Sequence, residues 1–242
     1  MIILSLDRIR KYGVPLFDYH IHSRYTDGQN TIEEIIKKAI EMGLSEIAIT
    51  DHVWKSSKWI KDYVKDIEKI RSRFKDKITA YIGLEAKAIN SHGELDITVK
   101  QREMIELLMG VVHRYPSEVD YDFISIDSLD HQKAAIIEAE TTINIIKNSR
   151  PDILGHPART YYKFVFPRTH IDFPEDLFYE IVKAAKRYNV LLEFNGRWST
   201  DWMAEILLTE NAEFVLGSDA HSINDIGKTG WERIYKIALM FL

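Results

Sequence analysis

Seven short apolar runs, rich in β-branched and aromatic residues and separated by amphipathic helical patterns, constrain this chain more than any other feature. They read VPLFDYH, EIAITDH, ITAYIGLE, LLMGVVH, DILGH, VLLEFN and EFVLGSDAH. Their length and continuous apolarity suit strands buried on both faces. Between the first two, TIEEIIKKAIEMG opens on a capping box of Thr31 and Glu34. It carries a stripe of Ile32, Ile35, Ile36, Ala39 and Ile40, and it stops at Gly43. Residues 59–74 and 175–188 repeat that periodicity, and 132–147 and 202–208 also read as helices. Strands alternating with helices pair in parallel through right-handed crossovers. About seven or eight such units fit a closed α/β barrel better than an open doubly wound sheet. The least regular stretches are Gly93 to Gln101 and Tyr161 to Pro174.

One domain over 1–242 is expected, with 1–14 as an N-terminal extension and 229–242 as a terminal helix. The greasy end of that helix suits either a core plug or a subunit contact, which leaves the oligomeric state open. Hydrophobic residues make up 45% of the chain and charged residues 29%, enough apolar content for a substantial core. No apolar run reaches membrane-spanning length, so no membrane partner is expected. In MIILSLDRIRKYG the basic residues follow the apolar start, which does not read as a secretion signal. With no cysteine there is no disulfide or thiolate site, in keeping with a cytoplasmic location. Any bound metal must therefore use His, Asp or Glu. A formal net charge of −5 argues against broad nucleic-acid affinity, which needs a basic surface.

The strand ends carry the chemistry. His20 and His22 stand at i and i+2, so in a strand both imidazoles point to one face. A lone His-x-His pair is equally compatible with two hydrogen-bonded histidines. The other runs end in His52, Glu85, His113 and His156, then in Asp219 and His221 at the same i, i+2 spacing. Six of the nine histidines thus close predicted strands, while His92, His131 and His170 do not. In a parallel α/β barrel those ends form one rim, where uncompensated imidazoles and carboxylates would be costly without an ion.

Taken in order, DYHIHSRYTDG, ITDH, GLEA, GVVH, LGHP and GSDAH resemble the motifs of the polymerase and histidinol phosphatase (PHP) superfamily over about residues 15–225. The resemblance implies a distorted (β/α)7 TIM-like barrel with its metal site at the C-terminal strand ends. It implies two or three divalent ions and a metal-dependent phosphoesterase in which the ions activate water; mixed imidazole and carboxylate donors suit Zn, Mn or Fe. Carried over, His20, His22 and Asp219 would hold one ion. Glu85 would bridge it to a second held by His113 and His156, and Asp27, His52 and His221 would take a third. Glu85, Asp219 and His221 are then the expected catalytic residues. From the residues alone, the TDG around Asp27 reads as a turn.

A phosphate ester needs positive charge, and Arg24, Arg114, Arg159 and Arg197 each follow a strand end; Lys87 shares that placement. Asn195 and Arg197 close the one strand without a ligand, and Asn195 reads as a substrate contact. Asp18 and Asp51 flank ligand histidines and either fix their tautomers or point elsewhere. His92 reads as a proton donor or a surface histidine, and the segment from Arg159 to Phe166 as a pocket wall or as packing. The expected partner is a small phosphorylated metabolite, histidinol phosphate being one candidate. The alternatives are a 3'-5' exonuclease acting on nucleic acid, a non-catalytic metal-binding module, and amidohydrolase chemistry, in which a lysine rather than Glu85 would bridge.

Overall fold

A computed structural model describes residues 1–241. Seven strands form one sheet in chain order: β1 (Phe17–Ile21), β2 (Glu46–Val53), β3 (Thr79–Lys87), β4 (Leu107–Val111), β5 (Ile153–Leu154), β6 (Leu191–Asn195) and β7 (Phe214–Gly217). Every adjacent pair is parallel. The first and last strands also meet: His22 N–H donates to Ala220 O at 2.9 Å, and Ala220 N–H donates to His20 O at 3.1 Å. That contact makes the sheet a nearly closed barrel and removes the open-sheet alternative. Every residue of β1, β4, β5, β6 and β7 is buried, as strands sandwiched between a barrel interior and an outer helical layer must be.

The helices are α1 (Leu6–Tyr12), α2 (Ile32–Glu41), α3 (Ile60–Ser72), α4 (Val99–Arg102), α5 (His131–Asn144), α6 (Arg159–Phe164), α7 (Phe166–Thr169), α8 (Glu175–Tyr188), α9 (Asp201–Thr209) and α10 (Trp231–Ala238). In α2 the Thr31 and Glu34 side chains cap each other's backbone amides, an arrangement worth about 1 kcal/mol. Ile32, Ile35, Ile36 and Ala39 of the expected stripe are buried. Tyr63 pins α3 to the sheet, its buried hydroxyl lying 2.7 Å from Ile49 O and 2.8 Å from Gly83 O.

Several details differ from the sequence expectations. Residues 1–14 are no bare extension: Leu4 pairs antiparallel with Phe214, and Ser5 caps α1. This helix escapes a periodicity search because Ile9 is its one buried residue. The two irregular stretches hold α4, the end of α6 and α7. The terminal helix spans Trp231–Ala238, and Leu242 of the expected range lies outside the described residues. Among the described residues no helix is long and apolar enough to cross a membrane.

Candidate metal centre

The nine residues implied by the resemblance converge on the barrel mouth. His20 lies in β1 with His22 just beyond it; His52 and Glu85 lie near the ends of β2 and β3, in direct register. His113 and His156 each follow their strand by two residues, and Asp219 and His221 follow β7. The β1 to β7 contact sets the two ends of the chain's strand order side by side. His156 and Asp219 adopt positive φ, 27° and 57°, a backbone conformation that costs a non-glycine residue on the order of 1–3 kcal/mol. Asp27 reaches the cluster because its turn folds back onto β1, with Gly28 packed against His22 O so closely that a Cβ would collide with it.

Glu85 is the hub. Its Oε1 stands 3.1 Å from His156 Nε2, 3.3 Å from His113 Nε2 and 3.3 Å from His20 Nε2. Its Oε2 contacts His52 Nδ1 and lies 4.0 Å from His22 Nε2. Asp219 Oδ1 stands 3.2 Å from His22 Nε2 and 3.5 Å from His20 Nε2. Asp27 Oδ2 is 3.3 Å from His52 Nε2 and 3.2 Å from His221 Nε2. The donors overlap instead of falling into three separate sets: His22 groups with Asp27, His52 and His221 as well as with His20 and Glu85, and His52 groups also with Glu85 and His113.

These residues fit divalent ions. Two donors, each about 2.0–2.2 Å from one tetrahedral ion, stand about 3.4 Å apart, which is the spacing found between most of these pairs. Among the described residues His20 Nε2, both ring nitrogens of His22 and Glu85 Oε2 are buried and, despite their close neighbours, form no hydrogen bond of normal geometry. Such orphans are costly unless something binds them. Burial lowers the His22 imidazole and takes His113 down to about 4, favouring the neutral ring that ligates. Burial alone would raise the Glu85 carboxyl, but the imidazoles of His113, His52 and His20 outweigh it and hold it well below the usual range. Asp219 follows the same pattern, burial opposed and overcome by His20 and His22. In His52, burial is overcome by Glu85 and Asp27, which push the imidazole up to about 10.

The sequence reading missed Glu193, which lies in β6, the strand without a ligand. Its Oε1 sits 2.9 Å from His20 Nδ1, and its Oε2 accepts the His156 backbone N–H. Glu193 thereby orients two ligand candidates at once. An acidic residue inside an otherwise apolar strand was the available signal. Asn195 is also an orienting residue: buried and outside the cavity lining, it donates to Glu193 Oε1 at 2.9 Å and accepts the Arg197 and Trp198 backbone N–H groups. Asp18 and Asp51 do not hold imidazoles. Asp18 accepts from Ser218 and from the His20 and Gly227 backbones, and Asp51 accepts from Ser23 and Thr26.

Above the cluster opens a cavity of about 780 Å³. Arg114, Arg159 and Arg197 line it, joined by Lys87 and Lys163. Burial and the adjacent Arg159 and Arg197 lower the Lys163 ammonium. Arg24 points elsewhere: its Nε donates to Gln29 O at 2.6 Å, and it borders a separate groove with Asp66 and Arg73. His92 likewise borders a different hollow. From the aromatic segment, Lys163 and Phe164 line the cavity, while Tyr161 is buried with its hydroxyl on Ile171 O.

A nearly closed parallel barrel whose mouth gathers imidazoles and carboxylates around one glutamate defines a metal-dependent hydrolase. Residues 18–197 match the PHP domain family, and the chain belongs to that family. It is 27% identical over 223 residues to a protein of Vibrio campbellii named "Probable phosphatase", covering 87% of this chain and 79% of that one. A Vibrio parahaemolyticus protein of the same designation is 28% identical over 225 residues, with the same coverage. Among solved structures, the histidinol phosphate phosphatase of Lactococcus lactis, determined with zinc, L-histidinol and phosphate, superposes with a TM-score of 0.70. That match has 20% identity and covers 92% of this chain and 93% of the other, a likeness of fold.

Proposed function

We propose that this chain is a metal-dependent phosphomonoesterase acting on a small phosphorylated metabolite. The observation that carries the reading is Glu85 at the centre of a buried donor cluster that opens directly into a cavity walled by cations. His20, His22, Asp27, His52, Glu85, His113, His156, Asp219 and His221 would hold the ions. When bound, divalent ions supply Lewis acidity and bring the pKa of a coordinated water toward neutrality. Glu85 draws imidazoles from four strands to one carboxylate, and Glu193 holds His20 in a fixed tautomer. Asp219 lies on the cavity floor, where its Oδ2 accepts from Trp198 Nε1 at 3.4 Å. Trp198 in turn carries two guanidinium groups, Arg197 at 4.8 Å and Arg159 at 5.4 Å from its ring centre. Arg159 Nε is buried without a partner. This pair is placed to grip phosphoryl oxygens beside Asp219 and to offset the charge of an in-line transition state. The named activities of the relatives agree with this reading.

The test is phosphate release from a panel of metabolite phosphomonoesters, assayed with zinc, manganese and ferrous iron, with single-stranded DNA as a parallel arm. Turnover of at least one monoester is expected, dependent on added metal. Cleavage of the DNA alone, or no release from a protein shown to carry metal, would overturn the proposal.

A further inference from the structure

Five cations line the cavity, Lys87, Arg114, Arg159, Lys163 and Arg197, and none of them forms a salt bridge among the described residues. They fall into two groups around two rings. Arg159 and Arg197 flank Trp198, with Lys163 beside them, next to Asp219. Lys87 and Arg114 share a different ring, Phe123, their charged ends 5.7 and 5.5 Å from its centre. Lys87 stands two residues beyond Glu85 on the same face of β3, about 6.6 Å further up the strand. Arg114 directly follows His113. This second pair therefore sits above the ligand cluster, on the β3 and β4 side of the mouth, whereas the first pair belongs to β5 and β6.

One phosphoryl group has three non-bridging oxygens, and on the proposed reading the bound ions with Arg159 and Arg197 would already address them. A further pair of unpaired cations, oriented by a shared aromatic ring, is surplus to that task. The three carboxylates of the lining, Asp27, Glu85 and Asp219, all belong to the metal cluster, so the upper walls offer no acid to an ammonium group. An amine-bearing substrate would meet positive charge there.

We infer that Lys87 and Arg114 form a second anion subsite, so that the substrate carries a second anionic group, carboxylate or phosphate, in addition to the phosphate that is cleaved. This deepens the phosphatase reading of the same site. Lys87 and Arg114 bind and orient the far end of the substrate; the guanidinium gives a bidentate contact and the ammonium a point charge.

The experiment is a binding measurement on the full chain loaded with zinc and freed of excess metal, read through quenching of cavity tryptophan fluorescence. The probes are n-alkylphosphonates of two to six carbons, the ω-carboxyalkylphosphonates and the α,ω-bisphosphonates of the same lengths. At one chain length or more, a two-anion probe is expected to bind about tenfold more tightly than its one-anion counterpart. Lys87→Gln and Arg114→Gln each bring that ratio toward one. Preference for the carboxylate or the bisphosphonate series identifies the second group. Equal binding of one- and two-anion probes at every length, or a ratio that survives both substitutions, would overturn the subsite. Because these probes are not hydrolysed, failure of the phosphatase reading shows separately, as absence of phosphate release in the turnover assay.

Discussion

Glu85 and Glu193 are both buried carboxylates on strands of the barrel, yet they serve different tasks. Glu85 touches five imidazoles from β1, β2, β4 and β5 or their ends, whereas Glu193 fixes one of those rings from behind and anchors the backbone of another. Replacing Glu85 by Gln removes one of the two carboxylates offered beside His20 and His22 and the only one offered beside His113 and His156. Zinc affinity, measured by chelator competition, is expected to fall more than about 100-fold, beyond the 10–100-fold loss typical of an outer partner. Glu193→Gln should fall within that 10–100-fold range, with the far-ultraviolet circular dichroism unchanged. Equal effects of the two substitutions would contradict the division of labour. The ligand candidates were legible because metal-binding residue types recur at strand ends. Glu193 was not, because it lies inside its strand and not at the end where the other candidates fall, and only the fold shows which side chain lies behind His20. Asp51 misled because direct adjacency to His52 puts the two side chains on opposite faces of the strand; Asp18, two residues before His20, misled because Ser218 and the Gly227 backbone occupy its carboxylate.

At the scale of elements, β7 must come very near β6 and β1 for the cluster to close. Gly217 makes this approach: a Cβ there would run into Glu193 Oε1 and lie 2.7 Å from His20 Cβ. Gly217→Ala is expected to cost about 1–3 kcal/mol by overpacking and to weaken zinc binding with it. Both are read from a melting curve and a chelator competition on one sample; a stable variant with unaltered zinc affinity would mean that the strands yield freely. The helix periodicity of α2, α3 and α8 was plain in the sequence, since one face of each is apolar and buried. Helices α1, α4, α6 and α7 were not, because each is about two turns or fewer and is held by tertiary contacts instead of its own pattern.

The whole molecule couples the cluster to stability. An ion that binds the native chain at about 100 times its Kd adds about 2.7 kcal/mol, so zinc should raise the melting temperature by roughly 5–11 °C and EDTA should reverse the shift. No shift at saturating zinc would count against the site. A second, metal-independent dependence comes from Glu138 of α5, buried and accepting the Thr160 and Tyr161 backbone N–H groups. Burial pushes its carboxyl from 4.5 up to about 7. The native state then binds the proton more tightly than the unfolded chain does, so this contribution is full below pH 4.5 and is lost as pH rises through 7. Melting temperatures between pH 4.5 and 7.5 should fall with a slope that Glu138→Gln flattens; identical slopes would show that Glu138 stays ionised in the fold. By itself the sequence determined the strand and helix alternation and the barrel class, because periodicity and residue type are local properties of the chain, and its ordered motifs, through their family resemblance, named the candidate metal-binding side chains. The closure of β1 on β7, the role of Glu193 and the sorting of the arginines, with Arg24 outside and Arg159 and Arg197 on Trp198, were decided only by tertiary structure. Each depends on which distant backbone a side chain meets, and spacing along the chain carries no record of that.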